Sequence, residues 1–480
     1  MEGLRQKTLS GVFWTFTQQF GVQLINFVVS IVLARLLLPE EFGLIGMIAI
    51  FVSLGNTLMD SGLTSSLIRT QEPDQRDFSS VFFMNVLGSL VIYVVLCFFS
   101  PLIADFFNQE VLSLIIRVYC LSFIVRSFSA VQLAKLTQQM DFKIQMTITI
   151  PSLLIGGVVG VTMAHLGFGV WSLVYMNLLQ AILVSLQLWF RINWRPALVF
   201  DWERLKYHFN FGYKLTLSGV LNTVYDNIYN IIIGKYFSAV QLGYFARAQS
   251  LKQLPVANIS TALNKVTYPM FAKIQDNDIQ LRAMYKRIMQ QVLFWVTPIL
   301  VLSGVLGEPL FRFLLTDKWL PAVPYFQILC LVGIMYPLNA YNLNILKVKG
   351  RSDLFLRLEI IKKVLITIGI IAAVPFGVYG LLWIQVILSA LSFFINTYYS
   401  GKFINYPAMA QIRDVFPVFG VAIMAGVFTY FLDIQIAKIF NFDLVRLCVG
   451  LILGMLVYFI FSYIGKISAL SDFRQLVLKK

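Results

Sequence analysis

Apolar runs of about twenty residues recur from one end of the chain to the other, separated by short polar joins. A helix rises 1.5 Å per residue, and a hydrocarbon core about 30 Å thick needs about 20 apolar residues to cross it. The pattern predicts fourteen spans, at about 11–34, 42–68, 78–100, 111–134, 145–165, 168–190, 211–234, 241–268, 288–307, 323–346, 354–374, 377–400, 413–433 and 443–464. Gly-Phe-Gly at 167–169 and Pro-Phe-Gly at 375–377 supply turn chemistry for two very tight joins, so spans 5 and 6, and spans 11 and 12, are expected as antiparallel hairpins. The first run starts near Gly11 and is far longer than the apolar part of a signal peptide, so it is expected to remain as a helix.

Two stretches depart from this uniformity in the same way. GKYFSAVQLGYFAR (234–247) sits 200 positions after ARLLLPEEFGLIGM (34–47), with Lys235 matching Arg35 and Gly243 matching Gly43. Spans 1 and 2 are also as polar as spans 7 and 8. Span 1 carries Gln18, Gln19, Gln23 and Asn26, and span 2 carries Asn56 and Asp60, four apart on one face. Span 7 carries Asn222 and Asp226, and span 8 carries Arg247, Lys252 and Asn258. The reuse predicts two repeats around a cavity lined by these four spans. Expected divisions are an N-lobe over 1–195, a C-lobe over 196–400, and a terminal helix pair with its tail over 401–480. DWERLKYHF (201–209), with Trp202, Leu205 and Phe209 at helical spacing, reads as an amphipathic helix on the inner membrane surface that leads into span 7.

Composition agrees with a polytopic all-α membrane protein: 58% of the 480 residues are hydrophobic and 13% are charged, against about 25% charged in soluble domains. No alternation of the kind a β-barrel needs is visible. The net charge of +15 is explained by loop placement. With the N-terminus inside, about 25 basic residues fall on inner segments and 5 on outer ones, namely Arg35, Lys235, Arg312, Lys318 and Lys438. Both termini are therefore expected in the cytoplasm. No basic run interleaves with aromatics, so nucleic acid is not an expected partner.

Enzyme chemistry finds little support. The sequence has no GxxxxGK[ST] loop, no serine elbow and no metal-ligand spacing, and its outer loops are short. Cys97, Cys120, Cys330 and Cys448 fall inside apolar runs, and His165 and His208 lie far apart. No metal or cofactor is expected.

The charges inside spans carry the functional signal. Arg117 and Arg126 lie in span 4, Arg247 and Lys252 in span 8, and Arg357, Lys362 and Lys363 in span 11. Each charge at bilayer depth costs about 2.5–3.5 kcal/mol, so such residues face a protein interior or a wet cavity. Cations outnumber acids in this set, which suits an anionic ligand, and arginine grips phosphate in bidentate fashion. A diphosphate at Arg247, Lys252, Arg126, Arg117, Lys362 and Lys363 is the expected match. Blander readings stand beside this one. Arg357 and Lys265 can snorkel to the interface, and Glu359 with Lys362 or Lys363 reads equally as a structural ion pair. Asp60, Asp226 and Glu359 can bind a coupling H+ or Na+, or can simply pair with a cation.

At this point the sequence resembles a known family. LARLLLPEEFGLIGM (33–47) followed by DSGLTSSLIR (60–69) resembles the opening of Wzx-type polysaccharide flippases. These form the polysaccharide transporter branch of the multidrug/oligosaccharidyl-lipid/polysaccharide exporter superfamily. The resemblance runs over the whole chain. It implies two six-helix lobes plus a helix pair, and transport of an undecaprenyl-diphosphate-linked oligosaccharide across a bacterial inner membrane by alternating access. The lipid bilayer and other polysaccharide-assembly proteins are the implied partners, and a monomer suffices. Related lipid II flippases place arginines on spans 1, 2 and 8. Here Arg247 and Lys252 match on span 8, whereas span 1 has glutamines and span 2 has Asp60. A cation-coupled multidrug exporter of the same superfamily is the alternative, and a membrane polymerase or ligase is a more distant one.

Overall fold

Every regular element among the described residues of this computed structural model is a helix. The description covers residues 2–472 apart from 61 and 441, without the side chains of 2–13, 16, 60, 257–266, 268 and 269. In chain order the helices are α1 (Glu2–Leu36), α2 (Pro39–Asp60), α3 (Leu63–Arg69), α4 (Gln75–Phe107), α5 (Val111–Tyr119), α6 (Leu121–Gln138), α7 (Phe142–His165), α8 (Val170–Arg191) and α9 (Trp202–Asp226). They continue with α10 (Ile228–Tyr236), α11 (Ala239–Lys273), α12 (Asp278–Val305), α13 (Gly307–Leu315), α14 (Val323–Val348), α15 (Ser352–Ala373), α16 (Gly377–Phe403), α17 (Ala408–Ile439) and α18 (Asp443–Ile464).

Eleven stretches among the described residues are long and apolar enough to cross a membrane, and one of them, 352–403, contains both α15 and α16. Expected spans 7 and 8 fall on α9–α10 and α11, which are helical but are not among the eleven. Their polar residues lower the hydropathy without preventing helix formation. The chain is a multi-pass membrane protein.

The two tight joins form as the glycines predict. Gly167 and Gly169 have φ of 84° and 56°, and Gly377 has 74°, values that glycine adopts at no steric cost. Three expected spans turn out to be broken. Span 2 breaks between α2 and α3 at Gly62 (φ 65°), span 4 at Cys120, and span 7 at Asn227. The amphipathic segment is no separate surface helix. It is the first two turns of α9, which runs unbroken from Trp202 to Asp226. The buried stripe is Leu205, His208 and Gly212, while Trp202 and Phe209 are exposed.

Backbone contacts divide the chain into two compact units, 1–243 and 244–480. The hydropathy repeat instead changes at 195/196, and the terminal helix pair lies within the second unit. In the first unit, α1 packs on α7, α7 on α8, and α4 on both α5 and α6. The two matched turns meet here. A Cβ at Gly43 would lie 1.7 Å from the Ala239 carbonyl oxygen, and one at Gly243 would lie 1.9 Å from the Pro39 carbonyl oxygen. The two contacts are the same one with the repeats exchanged, since Gly243 stands 200 positions after Gly43 and Ala239 stands 200 after Pro39.

In the second unit, α14 packs on α16, and α12 on α14 and α17. A buried polar network joins these helices. Gln411 accepts from Tyr285 Oη and Asn342 Nδ2, and it donates to Asn342 Oδ1 at 3.2 Å. Ser400 donates to that same oxygen at 2.7 Å. Arg446 on α18 donates through Nε and Nη2 to both oxygens of Asp433 on α17, at 2.9 and 2.8 Å. Gly450 and Gly454 let α18 close on Leu302 of α12 and on Leu306 just after its end.

Candidate functional site

The expected site residues separate by unit. In the second unit, α11 carries Arg247 and Lys252. The Arg247 guanidinium lies 5.8 Å from the ring centroid of Trp319, which is fully buried, and Tyr244 packs edge-on against the same ring. Lys252 is 6% exposed. Its stem packs on α14, where its Cδ is 3.1 Å from the position a Cβ at Gly333 would take, and Cys330 is close enough for electrostatic contact. Among the described residues no hydrogen bond or ion pair holds the Lys252 ammonium. A bare cation in such a place is costly unless something neutralises it. Arg247 engages an aromatic face, where a guanidinium gains from the ring quadrupole.

Helices α12, α14, α16 and α17 line an apolar cavity of about 810 Å³. Leu300, Cys330, Ile334, Trp383, Ile423 and Tyr430 are among its walls. Leu300 also borders the space above Gly333 that the Lys252 stem fills, so a wall residue of the cavity packs beside that stem. The other cations of this unit differ in situation. Lys362 pairs with Glu359 three residues earlier, which favours the structural reading of that pair, and Lys363 sits half-buried on α15.

In the first unit, Arg126 Nη2 donates to Asn177 Oδ1 at 3.3 Å, while its Nε is buried with no hydrogen-bond partner among the described residues. Arg117 is exposed, and its Nε donates to Ser100 Oγ at 3.0 Å. The polar positions of the matched spans split by exposure. Gln19 and Asn26 on α1, and Asn222 and Asp226 on α9, are exposed, while Gln18, Gln23 and Asn56 are half-buried. Amide and carboxylate groups exposed within spans belong against water or a polar ligand, because hydrocarbon offers them no partner. Packing of α2 on α9 brings Thr57 Oγ1 to 3.2 Å from Thr223 Oγ1. The side chains of Asp60, Asn258 and Lys265 lie outside the described residues.

Sequence reading missed one constellation in this unit. His208 on α9 is fully buried, with Nδ1 2.8 Å from Ser66 Oγ on α3 and Nε2 3.2 Å from Asp77 Oδ1 on α4. This Ser–His–Asp arrangement resembles a hydrolase triad only in its atoms. Ser66 is 2% exposed and Asp77 1%, so no substrate carbonyl reaches the hydroxyl. No local pattern reveals the site, since Asp77 and His208 stand 131 positions apart.

The polysaccharide biosynthesis protein family matches residues 32–324. Teichuronic acid biosynthesis protein TuaB of Bacillus subtilis (strain 168) is 25% identical over 470 residues, covering 95% of each chain. Lipopolysaccharide biosynthesis protein WzxC of Escherichia coli (strain K12) is 27% identical over 403 residues, covering 82% of this chain and 81% of its own. Among solved structures, the lipid II flippase MurJ in an inward closed conformation aligns with a TM-score of 0.74 at 15% identity, over 97% of this chain and 100% of that one. The last likeness is one of fold.

Proposed function

We propose that this chain, which belongs to the polysaccharide biosynthesis protein family, is a flippase. It moves a polyprenyl-diphosphate-linked oligosaccharide from the inner to the outer leaflet of the bacterial inner membrane by alternating access. Its product serves surface polysaccharide assembly. The chain acts as a transporter and not as an enzyme.

The observation that carries the reading is Lys252, a buried cation with no ion pair among the described residues and an apolar cavity behind its packing neighbours. A ligand with an anionic head and a hydrocarbon tail satisfies both features. The diphosphate neutralises Lys252 and Arg247, and the hydrocarbon tail occupies apolar surface. Relatives named for teichuronic acid and lipopolysaccharide biosynthesis support a saccharide cargo. A multidrug exporter for cationic drugs would need acids where this chain has Arg247 and Lys252.

The excess of basic residues on one set of loops supports cytoplasmic termini. Asp226, exposed on α9, is the described residue best suited to bind a coupling H+ or Na+. The working unit is a monomer that receives its cargo from other polysaccharide-assembly proteins.

Leaflet transfer in proteoliposomes tests the proposal. Purified protein should move a fluorescent polyprenyl-diphosphate oligosaccharide into the opposite leaflet, and should leave a labelled glycerophospholipid in place. Transfer of neither lipid, or equal transfer of both, would refute it.

A further inference from the structure

We propose that Ser66, His208 and Asp77 form a proton-operated clasp, which holds the root of α9 against α3 and α4 and releases it when His208 takes up a proton. The inference concerns how span 7 is anchored, and it holds whatever cargo is carried.

The clasp sits where α9 leaves a fixed support. Residues 194–201 are stitched to the start of α4: Trp194 Nε1 donates to Gln75 Oε1 at 2.7 Å, the Ala197 amide to Ser79 Oγ at 3.0 Å, and the Asp201 amide to Ser80 Oγ at 2.9 Å. One turn into α9, Leu205 joins a core with Leu63, Leu67, Phe78 and Trp194. His208 follows and bridges two helices at once. One turn further, Gly62 meets Gly212 so closely that a Cβ at 62 would lie 2.6 Å from the Gly212 Cα. Arg69 lies 4.6 Å from the ring centroid of Phe211. His208 is therefore the buried side chain that hydrogen-bonds α9 to both α3 and α4 at this junction.

Neutral imidazole fits both neighbours. Nε2–H donates to Asp77 Oδ1, and Nδ1 accepts from the Ser66 hydroxyl. A proton on Nδ1 removes that acceptor and puts a charge where no water reaches. The charges around it decide whether the site tolerates this. On α4, Asp77 attracts the proton, but its other oxygen already caps the Asp74 amide at 2.9 Å and lies 3.5 Å from Arg204 Nη1. Asp74 lies 3.6 Å from Arg204 as well. On α3, Arg69 is engaged with Phe211, and the Asp60 side chain of α2 is outside the described residues. Tyr207 is the ring neighbour on α9.

Burial outweighs the pull of Asp77 and holds the His208 imidazole below its ordinary range. The sign follows. Freed of the clasp, His208 titrates near the ordinary value of about 6.5. The released state binds more protons, so the clasp is at full strength above that value and weakens as pH falls through it. His208 precedes expected span 7 on the basic side, which makes cytoplasmic acidification the natural trigger.

Hydrogen–deuterium exchange on the full-length protein in nanodiscs tests this. After correction for intrinsic rates, protection of amides 206–212 should fall by up to about tenfold between pH 7.5 and 5.5. In His208→Gln, whose amide donates and accepts without titrating, the fall should be under about twofold. If that variant does not fold, Arg204→Gln serves, because Arg204 is half-exposed. Losing its charge leaves Asp77 free to stabilise imidazolium, so the drop should shrink. Protection independent of pH in the unmodified protein, or an undiminished drop in the variant studied, would overturn the clasp.

Discussion

Gly43 and Gly243 stand in reciprocal contact with the helix starts of each other's repeat. Gly43 is closed against the Ala239 carbonyl, and Gly243 against the Pro39 carbonyl. A single two-fold relation between residues 200 positions apart produces both contacts. The space is too small for any side chain, so the backbones of α2 and α11 must touch there.

This closeness predicts that alanine is not a mild change. Gly43→Ala and Gly243→Ala should each force the helices apart and cost about 1–3 kcal/mol, the usual toll of overpacking. The melting temperature in detergent should drop for both variants by similar amounts. A variant as stable as the unmodified protein would show that the contact opens freely.

Lys252 leads to the opposite expectation. A buried ammonium without an ion pair destabilises the fold, so Lys252→Met, of similar length and apolar, should melt at the same or a higher temperature. A lower melting temperature would mean that the ammonium has a structural partner.

The pair Asp433–Arg446 is expected to behave asymmetrically. Arg446→Met alone leaves Asp433 as a buried unpaired charge and should cost about 3–5 kcal/mol, Asp433→Leu should cost less because Arg446 keeps Asp443 at 3.3 Å, and the double variant should recover most of the Arg446→Met loss. Additive losses in a double-mutant cycle measured by thermal unfolding would contradict the buried pairing.

Asn342 is the hub of the neutral network in the second unit. Asn342→Leu removes one hydrogen-bond partner from Gln411 and one from the Ser400 hydroxyl, which keep Tyr285, Tyr406 and Asn396 as partners, and should cost about 0.5–1.5 kcal/mol for each bond lost. Gln411→Leu alongside it should add less than its own separate cost, a coupling that thermal unfolding of the single and double variants would reveal.

The sequence already disclosed the helices, the glycine turns at 167–169 and 377, and the 200-residue offset, because each rests on a local pattern of hydropathy or turn residues. Gly43 was legible as one half of a match, although nothing local showed that it meets the other repeat's backbone. The breaks at Gly62 and Asn227 were not legible, since polar residues interrupt the apolar pattern at many places that stay helical. Trp202 and Phe209 suggested an amphipathic face, yet burial follows Leu205, His208 and Gly212, because α4 and not the lipid covers that side. Lys362 and Glu359 were visible as a pair from their spacing. His208 was passed over because its partners come from α3 and α4, more than a hundred positions away.

The central claim is that the cations of α11 hold an anionic lipid head. The direct measurement is leaflet transfer of a polyprenyl-diphosphate oligosaccharide by the Arg247→Ala, Lys252→Ala double variant in proteoliposomes, beside the unmodified protein. Transfer should fall at least tenfold, equivalent to about 1.4 kcal/mol or more, in a variant that is still folded. Unimpaired transfer by that variant would contradict the claim.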